Sequence, residues 1–193
     1  MEPLNNKERI ILGIDPGTAV MGYGLLKETG SRIELINLGV VKMENMDDHM
    51  LKLQRIFEKT VALIDNYHPD CLAIEAPFFG KNIQVMLKLG RAQGVCMAAA
   101  LSRNIDITEY SPRKIKQAIT GNGNATKEQV AAMLQSLLKF KETPDFLDAT
   151  DGLAVAVCHS FQRIPTGSGK AGSKKSYSGW DTFVKDNAKR VVK

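Results

Sequence analysis

A chain of 193 residues with 44% apolar and 24% charged side chains has the size and balance of one globular domain that buries its own core, which excludes a disordered or fibrous protein. No run nears the ~18 apolar residues of a membrane span, the start Met1-Glu2-Pro3-Leu4 has no secretory pattern, and Cys71, Cys96 and Cys158 lack metal-site spacing, so a cytoplasmic protein with buried free thiols is expected. The formal charge of +5 is uneven: residues 163–193 carry eight Lys/Arg against Asp181 and Asp186, a local +6, and residues 1–162 come to −1, so the bulk charge alone is weak evidence for an anionic partner.

The apolar run Ile10-Ile11-Leu12-Gly13-Ile14 ends in Asp15 and then Pro16-Gly17, which predicts a buried strand with a carboxylate at its tip and a tight turn after it. Residues 21–27 read as its hairpin partner, and the alternation over 32–42 as a third strand, giving an antiparallel meander. Asp47-Asp48 opens a helix to about residue 66, with Met50, Leu53, Ile56, Phe57, Thr60, Leu63 and Ile64 as the stripe that lies on the sheet. Residues 71–76 are apolar on both faces, as in a central parallel strand reached by a helical crossover, and Glu75 stands near their end.

A second helix spans about 82–102 and carries Gly90 and Gly94 on a face of small residues, suited to close approach by the sheet or by another helix. A short fifth strand follows at 105–109. Ser111-Pro112 starts a helix with Ser as cap and Pro in the first turn, and Thr126-Lys127-Glu128-Gln129 has capping-box form for a helix to about 140. Asp145 is expected to cap the last core helix, 146–161, on which Asp148 and Asp151 share a face three residues apart. The architecture is therefore α/β, a mixed five-stranded sheet flanked by helices over residues 1–162, with a basic Gly/Ser/Lys tail over 163–193 that has little to bury and is expected to be flexible.

Asp15, Glu75, Asp148 and Asp151, brought together, repel one another and raise one another's pKa unless cations intervene. Oxygen donors without His or Cys suit Mg²⁺ or Mn²⁺, and two such ions about 4 Å apart activate water and steady a leaving oxygen, which is phosphodiester chemistry. His49, His68 and His159 have no evident nucleophile beside them, and Gly121-Asn122-Gly123-Asn124 lacks the Gly-Lys-Ser/Thr of a phosphate-binding loop.

These residues carry a resemblance. Gly13-Ile-Asp-Pro-Gly-Thr18, Gly22-Tyr-Gly24, Ala73-Ile-Glu75, Leu87-Lys-Leu-Gly-Arg-Ala-Gln-Gly94, Gly121-x-Gly-x-Ala-x-Lys127 and Asp148-Ala-Thr-Asp151-Gly-Leu-Ala154 resemble, in order and spacing over roughly 9–162, the RuvC family of bacterial Holliday junction resolvases. The resemblance implies a ribonuclease-H-like fold and a homodimer with two active sites. It also implies Mg²⁺-dependent paired nicks at four-way junction DNA, leaving 5′-phosphate and 3′-hydroxyl ends, and the branch-migration partners RuvA and RuvB. Position by position it makes Asp15, Glu75, Asp148 and Asp151 metal-binding catalytic acids and places Lys116 and Lys127 at the DNA backbone. It makes Phe78 an aromatic that stacks on bases and the Gly90/Gly94 helix the dimer helix. Gly152 stands where the family usually has Ala, and Gly90-Arg-Ala-Gln-Gly94 permutes the common Gly-Gln-Ala-Arg-Gly.

Two other readings compete. Gly-Ile-Asp-x-Gly-Thr also resembles the phosphate loop of the sugar-kinase and heat-shock-protein ATP-binding fold, but that fold needs two such domains and this chain has room for one. A non-catalytic junction-binding protein of the same shape would not need all four acids.

Overall fold

The computed structural model describes residues 8–77, 80, 82–141 and 146–163. Five strands, β1 (Glu8–Asp15), β2 (Val20–Thr29), β3 (Arg32–Lys42), β4 (Cys71–Glu75) and β5 (Asp106–Tyr110), form one sheet in the order β3-β2-β1-β4-β5. The meander β1-β2-β3 is antiparallel and β4 and β5 run parallel to β1, as the chain pattern implies. The helices are α1 (His49–Tyr67), α2 (Ile83–Leu101), α3 (Pro112–Thr120), α4 (Lys127–Leu138) and α5 (Phe146–Arg163). None of the described helices is long and apolar enough to cross a membrane.

Helix starts follow from caps. Asp48 accepts from Met50 N–H, Asn82 from Gln84 and Val85 N–H, and Ser111 from Lys114 N–H with Pro112 at the first helical position. At α4 the Thr126 hydroxyl and the Gln129 side chain close a reciprocal capping box, so the turn that presents Lys127 is fixed by its own side chains.

Several boundaries differ from expectation. The fifth strand sits one residue later than 105–109. Helix α4 stops at Leu138 rather than near 140, because Lys139 adopts a left-handed backbone (φ 52°) that ends the hydrogen-bond ladder. On α1 only Ile56, Thr60, Leu63 and Ile64 are buried, whereas Met50 and Phe57, assigned to the stripe, are 59% and 40% exposed. A single contact line on the sheet is narrower than the full apolar set. The expected Asp145 cap, Phe78 and residues 164–193 lie outside the described residues.

Two cores result. One face of the sheet packs Leu12, Ile14, Leu25, Leu72 and Ile74 under α1 and α2, and the other packs Ile11, Leu26 and Ala73 under α5, with α3 and α4 around it. Helix α5 lies unusually close because β1 and β2 present glycine to it. A Cβ on Gly13 would come 2.3 Å from the Gly152 carbonyl oxygen, and one on Gly22 would come 2.1 Å from the Asp148 carbonyl oxygen. Gly152 answers from the helix side, where a Cβ would meet the Tyr23 backbone at 2.5 Å, so its lost helix propensity is exchanged for close packing. This approach sets the acids of α5 beside the tip of β1.

Candidate metal centre and nucleic-acid interface

The tips of β1 and β4 are neighbours, with Ile14 paired to Ile74, so Asp15 and Glu75 emerge side by side at the carboxyl end of the sheet. Asp15, Glu75 and Asp151 line one cleft of about 260 Å³ with Lys116 and Lys127, walled by Pro112, Ile115, Val130 and Ala154. Asp148 stands at its edge, a half-exposed side chain whose Oδ1 is 3.7 Å from the Lys127 ammonium. The same ammonium lies 2.5 Å from Asp151 Oδ2. A fold built from five separated segments therefore gathers three of the expected acids with both expected lysines, and keeps the fourth within reach of one of those lysines.

The electrostatics reflect the apolar walls. Burial, reinforced by the charges of Asp151 and Asp148 and opposed by Lys127, raises Asp15 to about 7. Burial, then the charges of Asp15 and Asp151, raise Glu75 to about 8 against the pull of Lys127 and Lys116. Asp151 is raised as well, chiefly by burial, with its bond to Lys127 working the other way. Burial alone would lower Lys127, but the bond to Asp151 and the charges of Asp151, Asp15 and Asp148 hold its pKa above the usual value. The cluster is thus short of positive charge.

An all-oxygen donor set whose mutual repulsion the lysines relieve only in part fits a hard divalent cation. Among the described residues, no three acids yet stand as a ready ligand group. Lys127 holds Asp151 instead, so the acids are gathered around an ammonium.

One residue that the sequence reading did not single out shapes the site. Gln93, buried on α2, donates to Glu109 Oε2 at 2.8 Å and reaches the Glu75 carbonyl oxygen at 3.5 Å, tying the helix to the ends of β4 and β5. Its only signal in the sequence is a polar side chain among small residues.

Comparison with known proteins gives a consistent picture. The family model described as "Crossover junction endodeoxyribonuclease RuvC" matches residues 11–159. A protein of that description from Christiangramia forsetii is 61% identical over 184 residues, 95% of this chain and 93% of its own length, a span that runs past Arg163 into the tail. One from Bacteroides fragilis is 58% identical over 187 residues, covering 96% and 97% of the two chains. Among solved structures, T. thermophilus RuvC in complex with Holliday junction substrate superposes with a TM-score of 0.74 at 30% identity, covering 81% of this chain and 95% of that one.

Proposed function

Since the chain belongs to the RuvC family of crossover junction endodeoxyribonucleases, with its ribonuclease-H-like fold, we propose that the cleft at the tips of β1 and β4 is the active site of a Holliday junction resolvase acting in recombination and repair. Asp15, Glu75, Asp148 and Asp151 are the metal-binding catalytic acids in this reading, and divalent metal is Mg²⁺, with Mn²⁺ as a substitute and two ions per site. The observation that carries the proposal is the convergence of Asp15, Glu75 and Asp151 with Lys116 and Lys127 in one apolar-walled cleft.

Bound at these acids, the cations would supply Lewis-acid stabilisation of the phosphate and a water of lowered pKa. The residues of the chain do the rest. Lys116 and Lys127 offer charge-assisted hydrogen bonds to the DNA backbone, Pro112, Ile115 and Val130 limit water at the cleft wall, and Gln93 holds the end of β4 so that Glu75 keeps its place. Phe78, three residues past the end of β4 at Glu75 in sequence, is assigned to stacking on a base of the opened junction.

A four-way junction has two strands to cut, which calls for two sites. Helix α2 supports a homodimer: Ile83, Val85 and Leu87 are 72%, 48% and 52% exposed on it, and among the described residues nothing beyond the helix's own nearby backbone lies within 4 Å of where a Cβ on Gly90 or Gly94 would stand. Action in the cytoplasm with the branch-migration proteins RuvA and RuvB rests on family membership alone.

The deciding experiment incubates the protein with Mg²⁺ and either a synthetic four-way junction or a linear duplex of the same sequence. Paired symmetric nicks confined to the junction, with 5′-phosphate and 3′-hydroxyl ends, are expected. Equal nicking of both substrates, or junction binding without cleavage, overturns the reading.

A further inference from the structure

The three cysteines look alike in the sequence, each inside an apolar segment, and all three are buried free thiols. Their surroundings differ. Cys96 sits against the Thr60 hydroxyl and the Met21 thioether, and burial pushes its thiol up to about 12. Cys158 faces the Lys114 carbonyl, and burial pushes it up to about 11. Both belong to the class of inert core thiols.

Cys71 has a different partner. Its Sγ lies 3.4 Å from His159 Nε2, and the other ring nitrogen, Nδ1, lies 2.9 Å from the Tyr110 hydroxyl. The Tyr110 ring packs on the imidazole edge to face, with centroids 5.8 Å apart, which fixes the ring plane as well as its hydrogen bond. A sulfur nucleophile, a base within reach, and a third group orienting that base is the arrangement by which proteins activate thiols.

Cys71 and His159 also line a cavity of about 450 Å³ together with Arg9, Glu28, Asp70, Asp106 and Thr108, none of which belongs to the acid cleft. Arg9 is engaged by Glu28 at 2.8 Å, and Asp70 Oδ2 accepts from Ile10 N–H. The cavity opens at the other end of the sheet from the acids: Cys71 begins β4 and Glu75 ends it, and His159 lies eight residues past Asp151 on α5, about 12 Å along the helix.

We propose that Cys71, activated by His159 and Tyr110, is a modification site of this protein, with small hydroperoxides as the reactant class. Proton transfer from Sγ to Nε2 leaves a thiolate beside an imidazolium whose Nδ1–H donates to the Tyr110 oxygen. The thiolate attacks the terminal oxygen of the hydroperoxide. The S–O bond forms as the O–O bond breaks, the departing alkoxide or hydroxide takes the imidazolium proton and leaves as alcohol or water, and sulfur is oxidised by two electrons to the sulfenic acid.

The test treats the native full-length protein with dilute hydrogen peroxide in the presence of a sulfenic-acid trapping reagent and maps the three cysteine peptides by mass spectrometry. Cys71 is expected to be trapped at least tenfold faster than Cys96 or Cys158. His159→Gln is expected to slow it about tenfold, and Tyr110→Phe, which keeps the ring and its packing, severalfold, with circular dichroism confirming that each variant is folded. Wild-type comparison of the three thiols requires no variant to fold. Equal rates at all three sites, reaction of Cys71 only after denaturation, or an unchanged rate in folded Tyr110→Phe and His159→Gln proteins would each overturn the proposal.

Discussion

The ammonium of Lys127 lies 2.5 Å from Asp151 Oδ2 and 3.7 Å from Asp148 Oδ1, so a side chain from the start of α4 stands among the acids as their counter-charge. In the proposed metal site a cation on Asp151 would compete with this ammonium for the carboxylate, and a DNA phosphate would be the natural acceptor for the ammonium so released.

Removing that competitor has a measurable consequence. Lys127→Ala in the DNA-free protein should bind Mn²⁺ more tightly than wild type, by roughly fivefold if the pairs made by its half-exposed ammonium are worth about 1 kcal/mol, while cleavage of the junction is lost with the phosphate contact. Calorimetric or electron-spin titration decides it. An Mn²⁺ affinity that is unchanged or weaker in the variant would show that the ammonium does not compete for the site.

Raised acids predict a pH dependence of stability. Unfolded, Asp15 and Glu75 ionise near pH 4. Folded, they keep their protons up to about 7 and 8. Between those values the folded state holds more protons than the unfolded one, so the contribution of these groups to stability falls as pH rises through the window. Asp15→Asn should therefore melt higher than metal-free wild type at pH 8, by roughly 3–8 °C, with the gap closing toward pH 4, and should abolish cleavage while leaving junction affinity near wild type. A lower melting temperature for the variant at pH 8 contradicts this account.

Close packing of α5 on the sheet predicts a steric effect at Gly13, where an added Cβ would press on the Gly152 carbonyl oxygen and on Ala156 N at 2.5 Å. Gly13→Ala should cost about 1–3 kcal/mol and lower cleavage further than that loss explains, because the helix that must shift carries Asp148 and Asp151. Gly94→Ala, with open space at its Cβ within the protomer, should leave the melting temperature of the monomeric protein unchanged or raise it. Equal effects at the two sites in thermal melts would remove the packing argument.

The exposed apolar residues of α2 predict an assembly defect. Leu87→Glu should convert a dimer to a monomer in sedimentation, without lowering the unfolding midpoint of the folded protomer, and paired nicking should fall sharply. A variant that sediments like wild type places the dimer contact elsewhere.

Residues 163–193 hold the whole positive excess of the chain and are proposed as a DNA tether. Each phosphate neutralised on duplex DNA contributes about −0.9 to the slope of log affinity against log salt, so truncation after Arg163 should flatten that slope by roughly 2 to 4 units while junction-selective cutting survives. Filter binding across a salt series measures it, and an unchanged slope would remove the tether role.

Much of this was legible in the chain itself. Apolar runs ending in Asp15 and Glu75, the capping box at Thr126 and the Ser111-Pro112 start are local signals, because strand burial and helix capping depend on neighbouring residues, and they place five strands and five helices in order with small boundary shifts. The four acids stood out by residue type and by spacing, and the fold brings three of them into one cleft. What the sequence could not determine was distance. That Lys127 meets Asp151, that Gln93 reaches β4, and that Cys71 has an imidazole partner while Cys96 and Cys158 do not, are contacts between segments 18 to 88 residues apart. They arise only when α5 settles on the glycines of β1 and β2 and α2 on the opposite face. Local propensity carries no information about such pairs. Close packing of the two layers decides them, and with them the charge balance of the cleft.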